Sequence, residues 1–385
     1  MMSRARKGLV SDWWWTVDKL LLGSLLLLLA GGIVLSFSAS PPVAQKLGID
    51  TFHFVKRHMV FMVPAIGILI GLSVLDLRQA RRLALMVLAG SIVALILVPF
   101  IGFSAKGATR WLSIGSFSLQ PSEFLKPAFI IITAWLFAES AKRPDMPCNL
   151  MSTALLALCA GLLVMQPDLG QTFLLASVWG AMFFMAGMPL LWVALLGGGG
   201  LLAAGIAYMS FSHFAGRIDR FLTGAGDTFQ VDRGLAAINN GGWFGTGPGE
   251  GRIKNGLPDS HTDFIFSVAA EEFGIALAMV LVLLFAFIVM RGLSHAFREQ
   301  DRFVQLAVSG LMLQFGLQAF INLAVNLRLM PAKGMTLPFI SYGGSSLLAV
   351  AFGMGLALAL TRKRPDSYRR NSVLSTPMRV VPAGA

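Results

Sequence analysis

Ten apolar stretches, most of them close to 20 residues long, run through this chain almost from end to end. Crossing the hydrocarbon of a bilayer takes about 20 mostly apolar residues in a helix. The stretches fall at 14–37, 54–75, 83–101, 121–139, 149–165, 171–187, 189–210, 263–291, 303–327 and 341–361. The expected fold is an all-α polytopic integral membrane protein with about ten transmembrane helices. Only 13% of the 385 residues are charged, against roughly 25% in soluble domains. The segment around Gly187-Met188-Pro189 reads as a tight turn, and Gly197 to Gly200 as a place where the seventh helix bends or packs closely. The run from Trp13 to Phe37 exceeds the apolar core of a signal peptide and reads as the first span.

The net charge of +12 does not point to nucleic acid, because its residues are scattered in short runs between apolar segments. Their distribution sets orientation instead. Arg4, Arg6, Lys7, Arg78, Arg81, Arg82, Lys142, Arg143, Arg291, Arg298, Arg302 and Arg362 to Arg364 crowd one set of loops, so that set is expected to face the cytoplasm. Both termini then lie inside. The expected organisation is a cytoplasmic tail over 1–12, a membrane domain over 13–364 and a disordered cytoplasmic tail over 365–385. Within the membrane domain, 211–262 forms a large external loop between helices 7 and 8. Its aromatics, Phe211, Phe221, Phe229, Trp243 and Phe244, argue for a packed or membrane-lying segment. Cys148, expected in an inner loop, and Cys159, expected in a helix, imply no disulfide framework.

Ionisable groups at membrane depth are costly and usually functional. Glu123 and Lys126, at i and i+3, share a helix face and can pair. A structural ion pair and a functional one are both open at this point. Arg110 beside Trp111 reads either as an interface anchor or as a substrate contact. Asp168, after a proline, reads as a helix cap or as a polar site residue. Asp263 is expected in the first turn of the eighth helix, where the helix dipole favours it. Asp259, His261 and Thr262 crowd the same place, which is more polar chemistry than a cap requires. Glu271 and Glu272 lie about two turns deeper. Lys333 to Ser346, with two prolines and three glycines, reads as a shaped, non-helical wall of a cavity. Asn322 and Asn326, at i and i+4, face the same cavity.

Five stretches, in this order, resemble the SEDS family of shape, elongation, division and sporulation proteins, the FtsW, RodA and SpoVE group. They are Gly107 to Trp111 with Gln120 to Glu123 and Lys126; Gln166 to Gly170; Gly241 to Gly245; His261 to Phe264; and Lys333 to Ser346. The Lys333-Gly334-Met335-Thr336-Leu337-Pro338 wording resembles the division branch. Asp259 departs from the family, where many relatives carry Glu.

The resemblance implies a peptidoglycan glycosyltransferase that polymerises lipid II at the septum, in the bacterial plasma membrane. It implies a class B penicillin-binding transpeptidase and other divisome membrane proteins as partners. The donor leaves as a polyprenyl pyrophosphate, so the reaction needs one base and a basic cradle rather than two flanking carboxylates. Asp263 is the expected base. Arg110, Lys126 and Lys333 are expected to hold the pyrophosphate. Glu123 and Asp168 are expected to orient those cations or help bind a divalent cation, Mg2+ or Mn2+, shared with phosphates. His261, Asn326 and Ser345 complete the expected substrate-binding set, and no dedicated metal site is expected. A lipid II flippase and an elongation-branch polymerase are the alternatives.

Overall fold

Ten long helices form where the apolar stretches predict them. The computed structural model describes residues 9–105, 108–115, 117–143, 145–210, 215–216, 219, 223, 229–331 and 334–362. In chain order the helices are α1 (Leu9–Thr16), α2 (Lys19–Ala39), α3 (Pro41–Lys46), α4 (His53–Ser73), α5 (Leu77–Ile101), α6 (Pro121–Ser140) and α7 (Cys148–Met165). They continue with α8 (Leu169–Met185), α9 (Leu190–Ser210), α10 (Phe229–Gly241), α11 (Ile265–Arg298), α12 (Arg302–Asn326) and α13 (Gly344–Leu360). Among the described residues, seven helices are long and apolar enough to cross a membrane, with α8 and α13 as shorter apolar helices. The chain is a multi-pass, predominantly helical membrane protein.

Helices α6, α12 and α13 form the centre, buried along most of their length. On α5 and α7, Met86, Phe100, Leu150 and Met165 are exposed, as lipid-facing residues should be. Lipid tails are as apolar as leucine, so helices associate by close packing rather than by hydrophobic exclusion. Small residues on α13 permit this against α4: a methyl group on Gly355 would lie 3.1 Å from the Leu69 carbonyl oxygen.

The structure departs from the sequence reading in several places. The first span is not one helix from residue 14. The chain breaks before Lys19 because Asp18 caps α2, accepting from the Leu20 and Leu21 N–H groups at 3.1 Å each. Arg291 and His295 of α11 close on the same carboxylate, with Arg291 Nε at 2.9 Å. Burial works against the charge on Asp18, but these hydrogen bonds outweigh it and hold its carboxyl below the usual range. The sequence reading expects no strands between α5 and α6. The described residues there form a three-stranded antiparallel sheet, β1 (Phe103–Ala105), β2 (Ala108–Ile114) and β3 (Phe117–Leu119), with Ala105 opposite Ala108 and Leu112 opposite Leu119. Gly197 to Gly200 lie inside α9 without close packing among the described residues; a methyl group on any of them would meet nothing within 4 Å there. Cys148 opens α7 instead of sitting in a loop. The tails over 1–8 and 363–385 lie outside the described residues, as do Phe211 and Phe221.

The segment 229–262 owes its shape to α11. Gly274, at φ 82° and ψ 173°, interrupts that helix in a conformation essentially reserved for glycine. An unbroken helix would bond Ile275 N–H to Glu271 O and Ala276 N–H to Glu272 O. Here the Gly241-to-Gly247 loop takes those groups. Thr246 N–H donates to Glu271 O at 2.9 Å and Gly247 N–H to Glu272 O at 3.0 Å. Ile275 N–H donates to Gly242 O at 2.9 Å and Ala276 N–H to Trp243 O at 3.2 Å. The loop thus satisfies the backbone that the kink exposes, as the bilayer demands. It leaves Trp243 and Phe244 65% and 87% exposed, so these aromatics are displayed and not packed.

Candidate active site

Asp263 sits in a turn just ahead of α11. The helix starts at Ile265, with Phe264 at the N-cap position, so Asp263 lies just outside the first turn in which it was expected. What fixes Asp263 is its own backbone. Its carbonyl oxygen accepts from Asn322 Nδ2 at 3.0 Å and from Asn326 Nδ2 at 2.9 Å. Its half-buried side chain turns toward the segment before α13: a methyl group on Gly334 would lie 3.4 Å from Asp263 Oδ2. That segment and the 261–263 turn run side by side. Tyr342 N–H donates to His261 O at 2.9 Å, and Ser341 Oγ donates to Thr262 O at 2.5 Å. The His261 ring packs against Phe54 and Tyr342, with centroids 4.4 and 5.5 Å away. Burial raises the Tyr342 phenol. Ser345 is buried at the start of α13, and its neighbour Ser346 bonds Thr336 through their hydroxyls at 2.7 Å. Lys333 lies outside the described residues.

Beneath this layer, Glu123 and Lys126 form the pair that their spacing predicts, at 3.1 Å. Two glutamines that sequence reasoning missed join them. Lys126 Nζ also donates to Gln171 Oε1 at 2.7 Å and Gln318 Oε1 at 3.3 Å, and Gln171 Nε2 donates to Glu123 Oε1 at 2.8 Å. Lys126 is 1% exposed, and these three acceptors match its three ammonium hydrogens. Buried charges persist only when paired and hydrogen-bonded, and this network meets that condition. Gln171 follows the Gln166-to-Gly170 stretch directly, which is the one signal that marked it.

A third cluster joins two distant stretches. Arg110, on β2, donates through Nε to Gln166 O at 3.0 Å and through a terminal nitrogen to Pro167 O. Its guanidinium stands 3.8 Å from Asp168. Burial raises the Asp168 carboxyl and Glu123 pushes the same way, while Arg110 and Lys126 oppose them; the net direction is up. Asp168 occupies the N-cap position of α8, where the Gln171 backbone N–H favours its charged form without reversing that direction.

Glu271 and Glu272 bind the segment between α10 and the 257–263 turn. Glu271 accepts from Ile253 N–H at 2.8 Å, Lys254 N–H at 2.9 Å and Asn240 Nδ2 at 3.2 Å. Glu272 accepts from Gly249 N–H at 3.0 Å and pairs with Lys254, whose ammonium also donates to Ser38 O at 3.0 Å. These groups tie the 241–256 segment to α11 and to the end of α2. Among the described residues, no group of three or more His, Cys, Asp or Glu is placed to hold a metal ion.

Four of the five stretches singled out in the sequence are therefore linked, through their described residues, into one polar structure, and the fifth, Gly241 to Gly245, packs on α11 two turns from Asp263. A model of the FtsW, RodA and SpoVE cell cycle proteins matches residues 18–365. The chain belongs to this family. It is 49% identical to a probable peptidoglycan glycosyltransferase FtsW of Caulobacter vibrioides over 339 residues, 88% of this chain and 87% of the relative. It is 37% identical to a protein of the same description from Trichlorobacter lovleyi, over 86% of this chain and 89% of that one. Among solved structures it is similar to a chain of a peptidoglycan synthase complex that coordinates polymerization and crosslinking. The TM-score is 0.75 at 28% identity, covering 90% of this chain and 98% of that one. It is also similar to the rod shape determining protein RodA of Thermus thermophilus, with a TM-score of 0.68 at 27% identity, covering 90% and 97%.

Proposed function

We propose that this chain is a peptidoglycan glycosyltransferase of the division branch, polymerising lipid II on the outer face of the plasma membrane with Asp263 as general base. The observation that carries the assignment is the placement of Asp263. Its carboxylate is half-buried and its backbone is clamped. It lies ahead of the N-cap position of α11, and it faces the glycine-rich segment before α13. The acceptor hydroxyl gives its proton to Asp263 as its oxygen attacks the anomeric carbon of the donor sugar. The bond to the polyprenyl pyrophosphate breaks on the opposite side, inverting that centre. Lys333 and Arg110 supply positive charge where the leaving group gains negative charge. Lys126, its ammonium fully engaged, acts from inside the bundle by fixing Gln171 and Gln318. A divalent cation here would be held chiefly by the substrate's own phosphates.

A class B penicillin-binding transpeptidase is the proposed partner, supported by the likeness to a chain of a synthase complex. The septum is the proposed location, with both termini cytoplasmic. Depletion should then give long unseptated cells rather than round ones.

The test is Asp263→Asn, assayed for lipid II polymerisation with the transpeptidase present. Positioned bases contribute about 10²–10⁴-fold, so polymer should nearly vanish while folding and lipid II binding persist. A well-folded variant that still polymerises removes the base assignment. A variant in which lipid II translocation alone responds moves the reading to a flippase.

A further inference from the structure

Three amide side chains on α12 stand four residues apart: Gln318, Asn322 and Asn326. At 3.6 residues per turn this spacing puts them on one face, and all three are buried. Each donates to the backbone of an irregular segment. Gln318 Nε2 donates to Thr336 O at 3.2 Å and Asn322 Nδ2 to Met335 O at 2.7 Å. Asn322 Nδ2 and Asn326 Nδ2 both donate to Asp263 O. Asn326 is itself held, donating to Asn322 O at 2.9 Å and accepting from Ser267 Oγ at 2.7 Å. The receiving carbonyls belong to the two non-helical stretches that face each other across the site. Irregular backbone near a bilayer persists only where protein or water satisfies it. Asn322 is the one residue of the three that bonds both stretches.

We propose that Gln318, Asn322 and Asn326 form a positioning clamp that holds the Asp263 peptide and the Gly334-to-Thr336 segment in mutual register. These amides touch backbone rather than substrate; the two hydrogens of Asn326 Nδ2 are already committed to Asp263 O and Asn322. The clamp therefore sets how far the Asp263 carboxylate stands from a pyrophosphate held by the segment that carries Lys333. This inference rests on the reading of Asp263 as the base. Gln318 extends the clamp downward, because its carbonyl oxygen accepts from Lys126. The buried ion pair and the catalytic turn thus belong to one connected polar structure.

The test is Asn322→Leu, which keeps the bulk and removes both donations, set beside Asp263→Asn in the full-length protein with its transpeptidase. Misplacing a catalytic group by about 1 Å can lower a rate about 10²-fold. The expected result is a fall in kcat of that order with KM for lipid II nearly unchanged and the folded fraction intact. A merely structural role would lower activity only in proportion to folded protein. If Asn322→Leu does not fold, Asn322→Gln keeps polarity and moves both donors by about one bond length, roughly 1.5 Å. It should show the same kcat loss. Wild-type kcat in a folded Asn322 variant, beside an inactive Asp263→Asn, overturns the clamp alone. An active Asp263→Asn overturns the base reading and, with it, the register the clamp is said to serve.

Discussion

Replacing Gly274 with alanine should release the loop that carries Trp243 and Phe244. A methyl group there would sit 2.3 Å from the Trp243 carbonyl oxygen and 2.5 Å from Gly245 N, both of them backbone atoms. The backbone conformation itself, at φ 82° and ψ 173°, costs a non-glycine residue about 1–3 kcal/mol. Alanine can avoid both penalties by closing α11 into a regular helix. Ile275 and Ala276 N–H then return to the Glu271 and Glu272 carbonyls. That closure evicts the loop from all four of its backbone bonds to the kink. Each such bond is worth about 0.5–1.5 kcal/mol net, so the loop loses about 2–6 kcal/mol of attachment. Hydrogen exchange in detergent or nanodiscs reads this directly at the amides of Thr246 and Gly247. Losing even 2–4 kcal/mol of local protection speeds exchange by roughly 30- to 1,000-fold. Polymerisation should fall as well, because the released loop is joined through residues 248–256 to the 257–263 turn. Gly23→Ala is the control: a methyl group there meets nothing within 4 Å, and alanine favours a helix by up to about 1 kcal/mol. Gly274→Ala protein with wild-type exchange at Thr246 and Gly247 would refute the idea that the kink exists to hold this loop.

Lys126→Met should destabilise the protein by about 3–5 kcal/mol, because it strands a buried carboxylate on Glu123. The Glu123→Gln, Lys126→Met double variant should recover much of that loss in thermal unfolding, and additive losses would remove the coupled pair. Asp168 has its carboxyl raised above the ordinary 3.8 in the folded chain. Its ionised form therefore weakens the fold at neutral pH, and that penalty is relieved as pH falls through the folded value toward 3.8. Asp168→Asn should flatten this part of the stability profile; an unchanged profile in thermal scans across that window speaks against the shift. For orientation, a cysteine at Glu250 should react with an impermeant thiol reagent in intact cells, and one at Gln300 only after permeabilisation. The reverse pattern would invert the topology.

How much of this was legible in the sequence follows from the range of the forces involved. A spanning helix satisfies its own backbone, so the existence and approximate bounds of α4, α5, α6, α7, α12 and the rest are local properties of apolar composition. The Glu123–Lys126 pair is local too, three residues apart on one helix. The stretches around Arg110, Asp168, His261 to Asp263 and Lys333 to Ser346 were marked by residue types that do not belong in a bilayer. Asn322 and Asn326 were marked by their spacing, as residues facing a cavity. What sequence could not decide is which distant groups complete each irregular piece of backbone. Lys126 finds Gln318 across 192 residues, and Lys254 finds Ser38 across 216. The first helix breaks at Asp18 because Arg291 and His295 arrive from α11. Asp263 falls outside the helix it was expected to open, and the Gly241-to-Gly247 loop finds its partners only because Gly274 interrupts α11. Composition determined that the chain must be helices in a membrane, because each helix answers its own hydrogen bonds. The site lies where helices end and backbone is left unpaired, and only the tertiary packing decides which side chains supply those missing bonds.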